Sequence, residues 1–153
     1  MTGGLELALN CDFLLASTQA SFADTHARVG VMPGGGLTVV LPQWIGVPRA
    51  RQMSVTGDYV FAQQALDWGL VNEVLEPDDL VPRALEIART AAKIAAAPQL
   101  LATYTATTGG TVRDGWVTEQ VYKRGYTESD GQEVGRRYGA IRERGASQQQ
   151  AKL

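Results

Sequence analysis

Histidine and cysteine each occur once in these 153 residues. A lone cysteine excludes an internal disulfide framework. A lone histidine with no nearby thiol or second imidazole offers no metal-ligand spacing, so no metal is expected. Cys11 reads as a small buried residue rather than a nucleophile, because free cysteines are commonly buried. No apolar run reaches the length that crosses a bilayer, and the N-terminus lacks a basic stretch followed by an apolar one. No membrane partner is therefore expected, and a cytoplasmic setting is the default. The 14 basic and 16 acidic side chains leave a net charge of −2, which argues against a nucleic-acid partner, since such proteins normally carry a basic face. Hydrophobic content of 44% is ordinary for a globular chain, and the length suffices for one sizeable core.

What is present is concentrated near the N-terminus. Gly3 and Gly4 stand directly before an apolar run, Leu5 to Leu9, that carries one carboxylate, Glu6. A glycine pair at a helix start leaves backbone N–H groups bare, and such groups bind anions or stabilise a developing oxyanion. A carboxylate within a turn of them is placed for general acid or base work. The plain alternative is a capped helix with a solvated Glu6.

Along the chain, residues 5–11 read as a helix and 12–17 as a strand. A turn follows, then a short strand at 21–23 and a loop through Met32 and Pro33. Glycines 34–36 open a helix carrying Leu37, Val40, Leu41 and Trp44. Gly46 to Pro48 break it, and Pro48 suits the first turn of the next helix, which runs to about Val55. Residues 61–68 form a further helix closed by Gly69, and 70–75 a strand. Beyond Pro77 strand signals stop. Helices are expected from about Asp78 to Ala96, from Pro98 to about 107, over 111–129 and over 133–144. The composition divides the chain into a mixed α/β part, 1–76, a helical part, 77–145, and a Gln-rich tail, 146–153, expected to be disordered.

Four ordered segments carry a resemblance: Gly3-Gly4-Leu5-Glu6; Ser21 to Gly36 with Phe22-Ala23-Asp24-Thr25-His26 and Pro33-Gly34-Gly35-Gly36; Leu41 to Gly57; and Ala62 to Val74. In this order they resemble the enoyl-CoA hydratase/isomerase (crotonase) family, from Thr2 to about Arg144. The resemblance implies an α/β fold of the ClpP/crotonase type, a ββα superhelix followed by an all-helical oligomerisation region. In the family the Gly-Gly-Leu-Glu segment lies mid-domain, so the resemblance implies the C-terminal portion of such a protein. The early strands, the second oxyanion donor and much of the acyl-CoA cleft would then be lacking.

The resemblance also implies roles. Gly3 matches a glycine whose N–H stabilises the thioester oxygen, and losing one such donor typically costs about 3 kcal/mol. Glu6 matches the first catalytic glutamate of the hydratases, which positions and activates water. His26 stands where hydratases have their second glutamate. Imidazole is a competent acid or base near neutral pH, so Glu6 and His26 remain a workable pair, although a histidine without a catalytic role fits the sequence equally. Asp24 and Arg28 flank His26, and the sequence does not say which faces it. Gly34 is the best-placed glycine for close approach of backbone to substrate. Glu133, Tyr138 and Arg142 match a C-terminal pattern, and Arg142 and Arg144 are candidates for contact with CoA phosphates. A solvated amphipathic helix is the alternative there.

The expected function is thus crotonase-family acyl-CoA chemistry through an oxyanion-stabilised enolate, with enoyl-CoA hydration foremost. An enoyl-CoA isomerase-type reaction, a non-catalytic remnant and half of a split enzyme are the alternatives. The substrate is a coenzyme A thioester and no further cofactor is expected. The expected protein partner is another copy, in a trimer or hexamer with Trp116, Tyr122, Tyr126 and Tyr138 supplying apolar contact area, or else a complementary N-terminal half.

Overall fold

The computed structural model describes residues 1–125 and residue 136. It forms two compact units, Met1–Ala95 and Ala96–Leu153. In the first unit the elements follow as α1 (Gly3–Leu9), β1 (Leu15–Ser17), β2 (Ser21–Phe22), a single 3₁₀ turn (Ala27–Val29), α2 (Leu37–Ile45), α3 (Val47–Thr56), β3 (Val60–Phe61), α4 (Ala62–Trp68), β4 (Glu73–Leu75) and α5 (Pro77–Ala92).

The strands are short and pair as two ladders. β1 and β4 run parallel, with Leu15 opposite Glu73 and Ser17 opposite Leu75. β2 and β3 run antiparallel, with Ser21 opposite Phe61 and Phe22 opposite Val60. Two residues of β3 were not foreseen, because a two-residue strand has no periodicity to detect. The run read as a strand over 12–17 pairs only from Leu15, and that over 70–75 only from Glu73. Leu70 and Val71 instead turn inward as core residues.

Helical spacing explains the core. Leu37, Leu41 and Ile45 of α2 recur at every fourth residue and are all buried, as are Leu5 and Leu9 of α1. They meet Ala50 and Met53 of α3, Ala65 of α4, Val60 of β3 and Ala16 of β1 in one apolar cluster. The opposite faces stay wet, with Val39 and Leu7 exposed. Helix ends follow their glycines: Gly57 and Gly69 take the left-handed conformation that closes α3 and α4. Arg49 of α3 stacks over the Trp68 ring at 5.5 Å, joining the start of one helix to the end of the other.

α5 belongs to the first unit, which extends to Ala95. Its guanidinium Arg83 forks onto Glu73 of β4, with Nε donating to Oε2 and Nη2 donating to Oε1, each at 2.8 Å. Nη1 donates to Glu86 Oε2 at 2.8 Å. The guanidinium holds the Glu73 carboxyl below the ordinary carboxylate range.

Within the second unit, α6 (Ala97–Thr107) and α7 (Val112–Gly125) lie together. Thr111 begins α7 with its Oγ1 accepting from the Asp114 N–H at 3.1 Å, a capping arrangement. Gly115 lies against Thr107 of α6, and a Cβ there would fall 3.6 Å from Thr107 Cβ. The helix expected over 133–144, the tail 146–153, and Tyr126, Glu133, Tyr138, Arg142 and Arg144 lie outside the described residues, as do the side chains of Trp116 and Tyr122. Among the described residues no helix is long and apolar enough to cross a membrane.

The core reading carries a direct test. Leu41 has no exposed surface, whereas Val39, two residues away on the same helix, is 64% exposed. Leu41→Ala is expected to cost about 2–5 kcal/mol in urea denaturation, and Val39→Ala less than about 0.5 kcal/mol.

Candidate active site

The site is built where α1 meets the chain between β2 and the 3₁₀ turn. Thr2, just ahead of α1, donates its N–H to the Ala23 carbonyl at 2.9 Å. Its hydroxyl lies 2.5 Å from the Thr25 hydroxyl. Thr2 has φ 50°, a conformation that β-branched residues rarely adopt. These two bonds fix where α1 begins relative to residues 23–25. Glu6 lies one turn further along α1 and His26 next to Thr25, so the same stitching brings the two side chains face to face.

Glu6 Oε2 stands 3.7 Å from His26 Nε2. The other carboxylate oxygen, Oε1, accepts the Gly35 N–H at 2.8 Å. Asn10, at the end of α1, donates its side-chain amide to the Glu6 carbonyl at 2.8 Å and reaches the Gly35 carbonyl at 3.4 Å. Gly35 is thus held against α1 from both its backbone groups. A larger residue there would force the Glu6 side chain to move: a Cβ at 35 would sit 2.9 Å from Glu6 Cδ and 3.0 Å from Oε2. Gly36 follows with φ 95° and starts α2, which glycine does without steric cost.

On its far side the imidazole meets Asp24. His26 Nδ1 lies 2.6 Å from Asp24 Oδ1, and the same oxygen accepts the His26 backbone N–H at 3.1 Å. Both side chains are buried, Asp24 at 1% exposure and His26 at 7%. Burial pushes the Asp24 carboxyl up. Hydrogen bonds from the Ser54 hydroxyl of α3 and from the ring and backbone of His26, together with the imidazole's charge, outweigh it and hold the carboxyl below its ordinary range.

Of the two residues flanking His26, Asp24 is therefore the one that faces it. Arg28 turns away. Its Nε donates to the Thr56 carbonyl at 2.7 Å and its Nη2 to Asp58 at 3.0 Å, covering Gly57 at the end of α3.

Glu6 and His26, paired by the sequence, are together in space. Gly3 heads α1, where a helix's first N–H groups lack intrahelical partners, and a Cβ at Gly3 or Gly4 would meet no heavy atom within 4 Å. Gly34 is likewise open, but the glycine in contact with Glu6 is its neighbour Gly35. In a run of three glycines nothing in the sequence singles out the middle one. Asn10 and Ser54 were not foreseen either. Asn10 sits four residues after Glu6, one helical turn, and that spacing is the signal that would have found it. Cys11, expected to be buried, is exposed, because it follows the last turn of α1 rather than lying on the face that carries Leu5 and Leu9.

The glycine-rich turn and α1 thus bring together the two positions that the resemblance aligns with the hydratase glutamates, with histidine in place of the second. The family model described as enoyl-CoA hydratase/isomerase matches residues 1–137. The chain belongs to the enoyl-CoA hydratase/isomerase family. Among curated relatives, the probable enoyl-CoA hydratase 1, peroxisomal, of Arabidopsis thaliana is 44% identical over 93 residues, 61% of this chain and 35% of that protein. The crotonyl-CoA hydratase of Syntrophomonas wolfei is 41% identical over 86 residues, 56% of this chain and 33% of that protein. Among solved structures, an enoyl-CoA hydratase from Mycobacterium smegmatis is 48% identical with a TM-score of 0.69, over 80% of this chain and 57% of that one. An enoyl-CoA hydratase from Bacillus anthracis is 31% identical with a TM-score of 0.82, over 93% of this chain and 55% of that one. The chain spans about a third of the length of these two curated relatives. The matches give the family and a crotonase-like α/β fold. The C-terminal portion and the oligomerisation role expected for the helical region are not shown by these matches.

Asp24 has a measurable signature in acid. Its carboxyl binds protons less readily in the folded chain than in the unfolded one. Its stabilising contribution is complete above the unfolded value near ~3.9 and is lost as pH falls below that toward the folded value. Asp24→Asn is expected to lower stability at pH 7 and to flatten the acid limb of stability against pH, followed by thermal melts from pH 7 to pH 2. The part of that limb due to Glu73 should persist.

Proposed function

We propose that this site adds water across the α,β double bond of an acyl-CoA thioester. The observation that carries the reading is the facing of Glu6 Oε2 and His26 Nε2 at 3.7 Å, with the carboxylate's other oxygen held by the Gly35 N–H. The names of the curated relatives, a crotonyl-CoA hydratase among them, support the same chemistry.

In this reading Glu6 accepts a proton from water as the water oxygen bonds to Cβ. The π electrons move through Cα onto the thioester oxygen, which becomes negative. The Gly3 N–H stabilises that charge, a fixed dipole that need not reorganise. The enolate then collapses and Cα takes a proton from His26 Nε2. One C–O and one C–H bond have formed, one π bond has gone, and no oxidant or reductant is consumed. Imidazolium is a natural donor here. Gly34, open beside Gly35, lines the approach to the acyl group. Arg142 and Arg144 remain the proposed contacts for CoA phosphates. Leu100, Tyr104, Val117 and Val121 are exposed apolar side chains on α6 and α7, and they support self-association of the chain as a further part of the proposal, read by light scattering.

The test is the loss of conjugated-thioester absorbance from crotonyl-CoA. Glu6→Gln and His26→Gln are each expected to slow the chain by about 10²–10⁴-fold, with far-UV circular dichroism unchanged. His26→Glu should retain hydration, since a carboxylic acid can deliver the same proton. Unaltered hydration in Glu6→Gln would defeat the proposal. Silence of His26→Gln alone would point to the isomerase-type alternative, with Glu6 as the one working group. Gly35→Ala should slow the reaction comparably to Glu6→Gln by displacing the carboxylate.

A further inference from the structure

We infer that Asp24 is a positioning residue for His26. It fixes the proton on Nδ1, leaves Nε2 as the working nitrogen, and completes a carboxylate–imidazole–carboxylate relay, Asp24–His26–Glu6, that returns the proton between turnovers. This deepens the proposed hydration and rests on it for the chemical step. The hold of Asp24 on the His26 ring stands on its own geometry.

Ionised carboxylates only accept hydrogen bonds. Asp24 Oδ1 lies 2.6 Å from Nδ1 and also accepts the His26 backbone N–H, so the ring nitrogen between them must be the donor. The carboxylate is 1% exposed and cannot turn to water for a substitute. Its backbone bond also fixes the loop from which the ring projects, so the ring's position and its tautomer are set by one oxygen. With Nδ1 committed, Nε2 is the atom that meets Glu6. Two carboxylates face the ring, Asp24 and Glu6, while the guanidinium of Arg28 is engaged with Asp58 and the Thr56 carbonyl.

The second half of the inference follows from Glu6. Its Oε1 is occupied by the Gly35 N–H, so a proton taken from water resides on Oε2, the oxygen facing Nε2. After Cα has been protonated, His26 is neutral with a lone pair on Nε2, and Glu6 carries the proton. At 3.7 Å the two atoms are beyond direct hydrogen-bond reach, so the proton passes from Oε2 to Nε2 through one intervening water, which regenerates the starting carboxylate and imidazolium. Nothing is lost or gained across the cycle beyond the added water, and no bulk proton is needed.

The chain's single histidine makes the test direct. In the uniformly ¹⁵N-labelled full chain, long-range ¹H–¹⁵N correlation shows one imidazole, whose protonated nitrogen is read from its shift. At a pH where the ring is neutral, the expected form is Nδ1–H, against the Nε2–H form that free imidazole side chains prefer. Asp24→Ala is expected to lose the Nδ1–H form, while Glu6→Gln keeps it. Should Asp24→Ala fail to fold, as its amide spectrum would reveal, the wild-type and Glu6→Gln spectra still decide. A wild-type ring in the Nε2–H form, or a switch of tautomer in Glu6→Gln, overturns the relay. Nδ1–H in a chain that does not hydrate crotonyl-CoA would sink the proposed function and leave Asp24's positioning role supported.

Discussion

A carboxylate kept from water must be answered by its surroundings, and Asp24 is that carboxylate here. A buried charge without partners costs several kcal/mol, so every group that satisfies it is held in place in return. Ser54 ties it to α3, the His26 backbone N–H shapes the loop, and the imidazole closes the set. Among the described residues no buried side-chain polar atom is left without a partner. The orientation of His26, and through it the face presented to Glu6, is a consequence of neutralising one desolvated charge.

The other half of the site depends on packing. α1 is anchored by Leu5 and Leu9 in the core and stitched at its start through Thr2. Glu6 therefore leaves a rigid element rather than a loop. Gly35 then lies so close that its missing side chain is part of the site's shape. Electrostatics fix one partner and sterics the other, and they act from opposite sides of the 3.7 Å gap between Glu6 and His26.

Much of this was legible in the sequence, for identifiable reasons. The apolar residues at every fourth position in α2 and the glycines after α3 and α4 are local signals, and they located helices to within a residue or two. Glu6 and His26 were found because the order of motifs resembled a family whose chemistry needs two facing groups. Asp24 was legible only as a neighbour. An Asp two residues before a His permits a side-chain bond back to the following backbone, but Arg28 stood at the same separation with the opposite charge. What decided between them was Asp58, 30 residues beyond Arg28, which draws the guanidinium away. Cys11 was misjudged for a related reason: residue type favours burial, but position at the end of a seven-residue helix turned the thiol outward. Where the site rests on contacts between distant segments, such as Gly35 against Glu6, sequence pattern has no voice.

α5 is bound to its unit differently from the rest. None of its residues is buried, and its side-chain anchor to β4 is the fork of Arg83 on Glu73. Hydrophobic contacts strengthen under high concentrations of salting-out ions, whereas exposed ion pairs are screened by the same salt. Concentrated sulfate should therefore tighten α2 against α1 and α3 while loosening α5, so that one solvent change acts in opposite directions on two parts of one compact unit. Within this unit the order of opening is accordingly a property of the buffer as well as of the fold, with α5 leaving before α1, α2 and α3.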